Sequence, residues 1–105
     1  MRDHNYFVYI TCNPGKTTFY TGVTNDLERR IKDYENRGTP KTFAGKYYCY
    51  KLIFFERFSD INMAIEREKE IKDLSRAKKI DLIKNQNPNI NFIAVRFELS
   101  GGGNS

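Results

Sequence analysis

The run Asn5-Tyr6-Phe7-Val8-Tyr9-Ile10-Thr11-Cys12 is rich in aromatic and β-branched residues and predicts a strand. Asn13-Pro14-Gly15-Lys16 has the composition of a turn, and Thr17-Thr18-Phe19-Tyr20-Thr21 returns the strand pattern, so the chain opens with a hairpin. Tyr9 and Tyr20 fall on its two arms, and whether they share a face depends on a register that a turn of this length leaves open. After Gly22 the period changes. Leu27, Ile31 and Tyr34 recur at helical spacing, Asn25 stands where it would cap that helix, and Glu28 occupies the capping-box position. At ~100° per residue Arg30 lies at the edge of the apolar stripe and Arg29 on the opposite side. Of the two, Arg30 alone can reach from the border of the core into a cleft.

The stretch 36–46 breaks all periodicity with Gly38, Pro40 and Gly45 and carries Arg37, Lys41 and Lys46. Beside a cleft such a basic loop suits phosphate contact, and as a solvated connector it would look the same. From Tyr47 to Phe58 the sequence is almost continuously apolar and aromatic, which predicts a strand in the centre of its sheet. Ser59 or Asp60 caps the next helix, with Ile61, Ala64, Ile65 and Ile71 on its apolar stripe. Glu68 points into that stripe. A carboxylate there is costly unless it is paired, hydrogen-bonded or bound to a cation, and Lys72, one turn on, is the simplest partner. Glu66, Arg67 and Glu70 turn toward water. Ser75 caps a third, basic helix through Lys78, Lys79, Ile80, Leu82 and Ile83, ended by the run 85–89. Ile93, Val95, Phe97 and Leu99 then alternate with Ala94, Arg96 and Glu98, the pattern of an additional C-terminal edge strand before a glycine-rich tail.

A chain of 105 residues is one domain with a modest core. Eighteen Lys and Arg against 13 Asp and Glu, a net charge of +5, favour a polyanionic partner. Seven tyrosines and eight phenylalanines, with no tryptophan, are more aromatics than a small core needs, so some tyrosines are expected at a wet surface or site. Cys12 and Cys49 lack the CxxC spacing and are expected to be buried thiols of a protein in a reducing cytoplasm. No apolar run approaches the ~18 residues of a membrane span, and the N-terminus has no apolar signal region. The expectation is a cytoplasmic protein that engages no membrane.

Phe7-Val8-Tyr9, then Tyr20-Thr21-Gly22, then Arg30, then Glu68 on a later helix resemble the GIY-YIG nuclease superfamily. The likeness is to its small single-domain bacterial members, related to the N-terminal incision domain of the excision-repair nuclease. It covers residues 5–90, leaving 91–105 as a C-terminal extension. Phe7 stands where the family's name motif has its first glycine, and Thr21 where the second motif has its middle residue. The resemblance implies an α+β fold, a small three-stranded antiparallel sheet flanked by about three helices, and the order of elements read from periodicity agrees with it. It further implies Tyr9 and Tyr20 around an attacking water, Arg30 on the scissile phosphate, Tyr34 near the site, and Glu68 as the protein ligand of one divalent metal, Mg2+ or Mn2+. A site asparagine is also implied, with Asn87 the nearest candidate among Asn85, Asn89 and Asn91.

Such a set is chemically coherent. Phosphodiester hydrolysis needs a water placed in line, charge neutralised on phosphorus and a stabilised leaving oxygen. A forked guanidinium suits the phosphate oxygens and a hard cation on a carboxylate suits the leaving side. Tyrosine, with an unperturbed pKa of ~10, is an awkward base, and the sequence does not choose between Tyr9 and Tyr20 for that role. The expected function is a metal-dependent endonuclease acting on DNA, in repair or on structured DNA, with Lys41, Lys46, Lys78 and Lys79 on the phosphate backbone. Specificity would come from a protein partner or from reading DNA shape. The alternatives are a non-cleaving nucleic-acid-binding module on the same fold, and a structural protein in which the aromatics and Glu68 only pack.

Overall fold

Strand β1 (Tyr6–Cys12) occupies the middle of a three-stranded antiparallel sheet, with β2 (Phe19–Thr24) on one flank and β3 (Lys51–Phe58) on the other. The computed structural model describes residues 5–37 and 49–95, so the expected basic loop with Lys41 and Lys46 lies outside the described residues. Helices α1 (Leu27–Arg37), α2 (Ile61–Asp73) and α3 (Arg76–Gln86) complete an α+β domain. Among the described residues no helix is long and apolar enough to cross a membrane.

The two faces of β1 build two cores. Val8, Ile10 and Cys12 pack with Ile53, Phe54, Ala64, Ile71 and Ile83, beneath α2 and α3. Tyr9 packs on the opposite face with Leu27 and Ile31 of α1 and with Leu52. Burying a large apolar side chain contributes about 1.5–3 kcal/mol, so a sheet covered on both sides stabilises a chain this short.

The apolar run of β3 is a flanking strand and not the expected central one. Its continuity reflects burial on both faces, and its outer edge is closed by other means. The Gln86 side chain accepts from the Phe55 N–H at 3.1 Å and donates to the Phe55 carbonyl at 2.7 Å, replacing a missing strand. Asn87 Nδ2 donates to the Ile53 carbonyl at 2.9 Å, and the Ile93 N–H donates to the Leu52 carbonyl at 2.7 Å. An edge closed in this way can be as apolar as a central strand without offering a template to another chain. The predicted C-terminal strand is not formed over 91–95, where the backbone is irregular. Ile93 and Val95 pack against the Tyr9 cluster instead, so their alternation serves packing without a ladder.

The helix caps follow local chemistry, with one shift. Asp60 accepts from the Asn62 N–H and Ser75 from the Lys78 N–H, as expected. At α1 the cap is Asp26 and not Asn25: its carboxylate accepts from the Arg29 N–H at 3.2 Å, while Thr24 Oγ1 accepts from the Asp26 N–H at 3.1 Å. The Thr24 hydroxyl turns the chain and sets the cap one residue later. Glu28 then makes no capping box and instead lies 3.4 Å from Lys32 Nζ. Arg67, expected to face water, clamps α2 to β3, with Nε 2.8 Å from Glu56 Oε1 and Nη2 3.1 Å from Glu56 Oε2. That bidentate bond to Glu56 holds the guanidinium above its ordinary pKa against the desolvation that opposes it.

Both thiols are buried, as expected. Burial, with Cys49 beside it, pushes Cys12 up to about 11, and Lys16 offsets part of the rise. The unfolded chain therefore releases this proton at lower pH than the folded one. The stability from the buried neutral thiol is complete below the ordinary thiol pKa and is lost as pH rises toward 11. Melting temperatures should fall between pH 9 and 11, and Cys12→Val should flatten that decline. Equal alkaline slopes for the two proteins would refute the assignment.

Candidate active site

The hairpin register decides what the sequence left open. Tyr9 pairs with Gly22 and Thr11 with Tyr20, so Phe7, Tyr9, Thr11, Tyr20 and Gly22 share one face of the sheet. Tyr9 and Tyr20 are diagonal neighbours, their ring centroids 6.3 Å apart and tilted by 49°. Tyr9 is fully buried and Tyr20 half-buried. Gly22 is required by space: a Cβ there would lie 2.5 Å from Tyr9 Oη, 2.7 Å from its Cζ and 3.1 Å from Tyr20 Cε2. The phenol of Tyr9 thus lies across β2, with its hydroxyl at Gly22.

α1 leaves β2 after the Thr24–Asp26 turn and seats Leu27 and Ile31 against Tyr9. On that helix Arg30 is half-buried and Arg29 exposed, matching the angular reading of the sequence. Tyr34 lies one turn beyond Arg30 in the same helix.

Glu68 sits on the helix covering the other face. Ala64 and Ile71, on its stripe, are fully buried, and the Glu68 side chain is 19% exposed. Its Oε2 is 3.0 Å from Lys72 Nζ, the partner expected from spacing. Its neighbour Arg67 bonds to Glu56 of β3, and Glu68 points ~100° away from it round the helix. The structure therefore brings Tyr9 and Tyr20 into contact and sets Arg30 on the helix closing their face, whereas Glu68 lies on α2, the helix packed on the opposite face.

The remaining candidates separate. Asn87 caps α3, its Nδ2 shared between the carbonyls of Ile53 and Asn91 and its Oδ1 accepting from the Asn91 N–H, so its amide closes the loop beside β3. Lys78 is exposed and Lys79 half-buried in the first turn of α3, which lacks an acidic residue. Positive charges there oppose the helix dipole and favour an anion nearby. A cavity of about 520 Å³ lies on the Tyr9 face between Phe7, Leu27, Phe55, Ile93 and Val95, and Tyr9, Tyr20, Arg30 and Glu68 do not line it. Sequence reasoning missed Thr11, in the same row as Tyr9 and Tyr20, whose buried Oγ1 has no hydrogen-bond partner among the described residues. A threonine in a strand signals only β-propensity.

Known proteins resemble this chain over most of its length. The family model described as the GIY-YIG catalytic domain matches residues 5–81. A UPF0213 protein of Haloquadratum walsbyi is 34% identical over 82 residues, 78% of this chain and 89% of that one. One from Clostridium perfringens is 38% identical over 82 residues, 78% of this chain and 85% of its own length. The solution NMR structure of a UPF0213 protein from Bacillus halodurans, 30% identical, covers 79% of this chain and 86% of that chain with a TM-score of 0.49.

Proposed function

The chain belongs to the GIY-YIG family, and on that premise we propose that it is a divalent-metal-dependent endonuclease that hydrolyses DNA phosphodiester bonds, in repair or in the processing of structured DNA. The observation that carries this reading is the Tyr9–Tyr20 pair lodged over Gly22, with the Arg30 helix packed on the same face. In this proposal Tyr20, half-exposed, is the phenol that meets the attacking water, and buried Tyr9 holds it in place. Arg30 neutralises charge on the phosphate in the transition state, where a preorganised donor contributes most. The cations of α3, Lys78 and Lys79, and those of the loop, Lys41 and Lys46, hold the backbone of the strand.

The donor set fits a hard divalent cation. Among the described residues no group of three or more His, Cys, Asp and Glu converges, so Glu68 would hold an ion with few other protein ligands. Mg2+ binds through one or two carboxylates, several waters and substrate phosphates, and suits so sparse a site. Such an ion would supply Lewis-acid stabilisation of the leaving oxygen. Lys72, half-exposed, can leave Glu68 for water at little cost.

The same Glu68–Lys72 pair is what favours the second reading, a non-cleaving nucleic-acid-binding module in which that carboxylate is already satisfied. Incubation with supercoiled, single-stranded and branched DNA in Mg2+ or Mn2+ separates the two. Cleavage that chelator abolishes and that Arg30→Ala slows by roughly 100- to 1,000-fold is expected. DNA bound but left intact by the parent protein under every metal condition would establish the module instead.

A further inference from the structure

Phe92 is 44% exposed, and two ammonium groups converge on its ring: Lys16 Nζ at 5.1 Å and Lys51 Nζ at 5.6 Å from the centroid. Among the described residues neither lysine has a carboxylate partner. Two like charges gathered on one neutral ring repel each other, and the arrangement is relieved by an anion. The backbone has been bent to make it. The positive-φ non-glycine residues of the described chain are Lys16, at 59°, and Ile90, at 50°, two residues before Phe92. For a β-branched residue that conformation is strained, and strain of this kind persists where surrounding contacts hold it and clusters at functional sites.

Those contacts are present. Asn13 Oδ1 accepts from the N–H groups of Thr17 and Thr18 and the Asn13 carbonyl accepts from the Lys16 N–H, which fixes the β1–β2 turn. Arg76 fastens its far side by donating to the Thr17 carbonyl at 2.8 Å while lying over the Phe19 ring. Asn87 closes the loop that carries Ile90 and Phe92. These contacts hold one exposed aromatic ring with two ammonium groups over it.

We propose that Phe92, Lys16 and Lys51 form a stacking site for an unpaired nucleobase of the DNA, the ring taking the base and the lysines its flanking phosphates. This rests on the reading of the protein as one that acts on DNA. An aromatic ring stacks on any base whose face is free, and the faces are hidden within a duplex. An incoming base displaces an ammonium from the ring, and the ammonium moves to the adjoining phosphate. The site thereby directs the protein to strands with unpaired nucleotides, such as frayed ends, flaps or junctions.

The chain has no tryptophan, so Phe92→Trp installs a single reporter at the platform. Without divalent metal, titration with oligothymidylate should quench its fluorescence, and a blunt duplex of equal length should quench it less. Labelled-strand anisotropy on the same samples reports binding separately. Phe92→Leu should weaken single-strand affinity by about tenfold and duplex affinity by less. Single strands that bind without quenching, or that bind the Phe92→Leu protein as tightly as the parent, would overturn the stacking site. If the parent meanwhile still cuts DNA, the nuclease reading survives that result. A protein that binds no DNA at all loses both, and quenching by an acidic peptide alone would move the site to a protein partner.

Discussion

Glu68→Gln should remove cleavage, by roughly a thousandfold or more, while leaving the melting temperature almost unchanged. Gln fills the same space but lacks the charge that holds a divalent ion. The structure sharpens the stability half of this expectation. Lys72 is 52% exposed and lies one turn away on the same helix, so the pair it forms with Glu68 is worth ~0.5 kcal/mol or less. Losing Glu68 returns Lys72 to water and does not strand it in the core. DNA binding should persist, because the proposed backbone contacts lie on other residues. Circular dichroism melts, anisotropy and plasmid relaxation on one protein read all three quantities. A Glu68→Gln protein that relaxes plasmid at the parental rate would remove this carboxylate from the mechanism, and one that melts several degrees early would show the ion pair to be structural.

Gly22→Ala is expected to cost both stability and activity. The added methyl would lie within 2.5 Å of Tyr9 Oη and 2.7 Å of Cζ, distances that van der Waals repulsion forbids. Tyr9 is fully buried against Leu27, Ile31 and Leu52, so its ring cannot withdraw without disturbing the α1 core. Overpacking of this kind costs about 1–3 kcal/mol, a fall of roughly 5–20 °C in the melting midpoint for a domain of this size. The displaced ring is also the one proposed to hold the water-binding phenol, so cleavage should fall further than the folded fraction does. The double variant Gly22→Ala, Tyr9→Phe should lose less stability than the sum of the single changes, since it removes the nearest clashing atom. A Gly22→Ala protein that melts and cuts like the parent would show that the ring does not occupy this place.

What the sequence determined by itself was whatever depends on neighbours a few residues apart. Helical period placed Leu27 and Ile31 inward, separated half-buried Arg30 from exposed Arg29, and put Glu68 on a stripe with buried Ala64 and Ile71. Short-range hydrogen-bond chemistry chose Ser75 as one cap and narrowed the other to Ser59 or Asp60, and the polar turn between two apolar runs made the hairpin. The ordered Tyr, Tyr-x-Gly, Arg and Glu set was legible through its resemblance to the GIY-YIG family, while local period by itself marked only the helical positions of Arg30 and Glu68. Tertiary structure alone decided register, edges and long-range partners. It put Tyr9 and Tyr20 on one face, left β1 in the middle, and closed the rim of β3 with Gln86, whose amide meets a strand 31 residues away. It gave Arg67 to Glu56, and it gathered Lys16, Lys51 and Phe92 around one ring. A pattern of period 2 or 3.6 says which side of an element is buried, but not which distant group covers it, because the energy that selects that group exists only once the whole chain has closed.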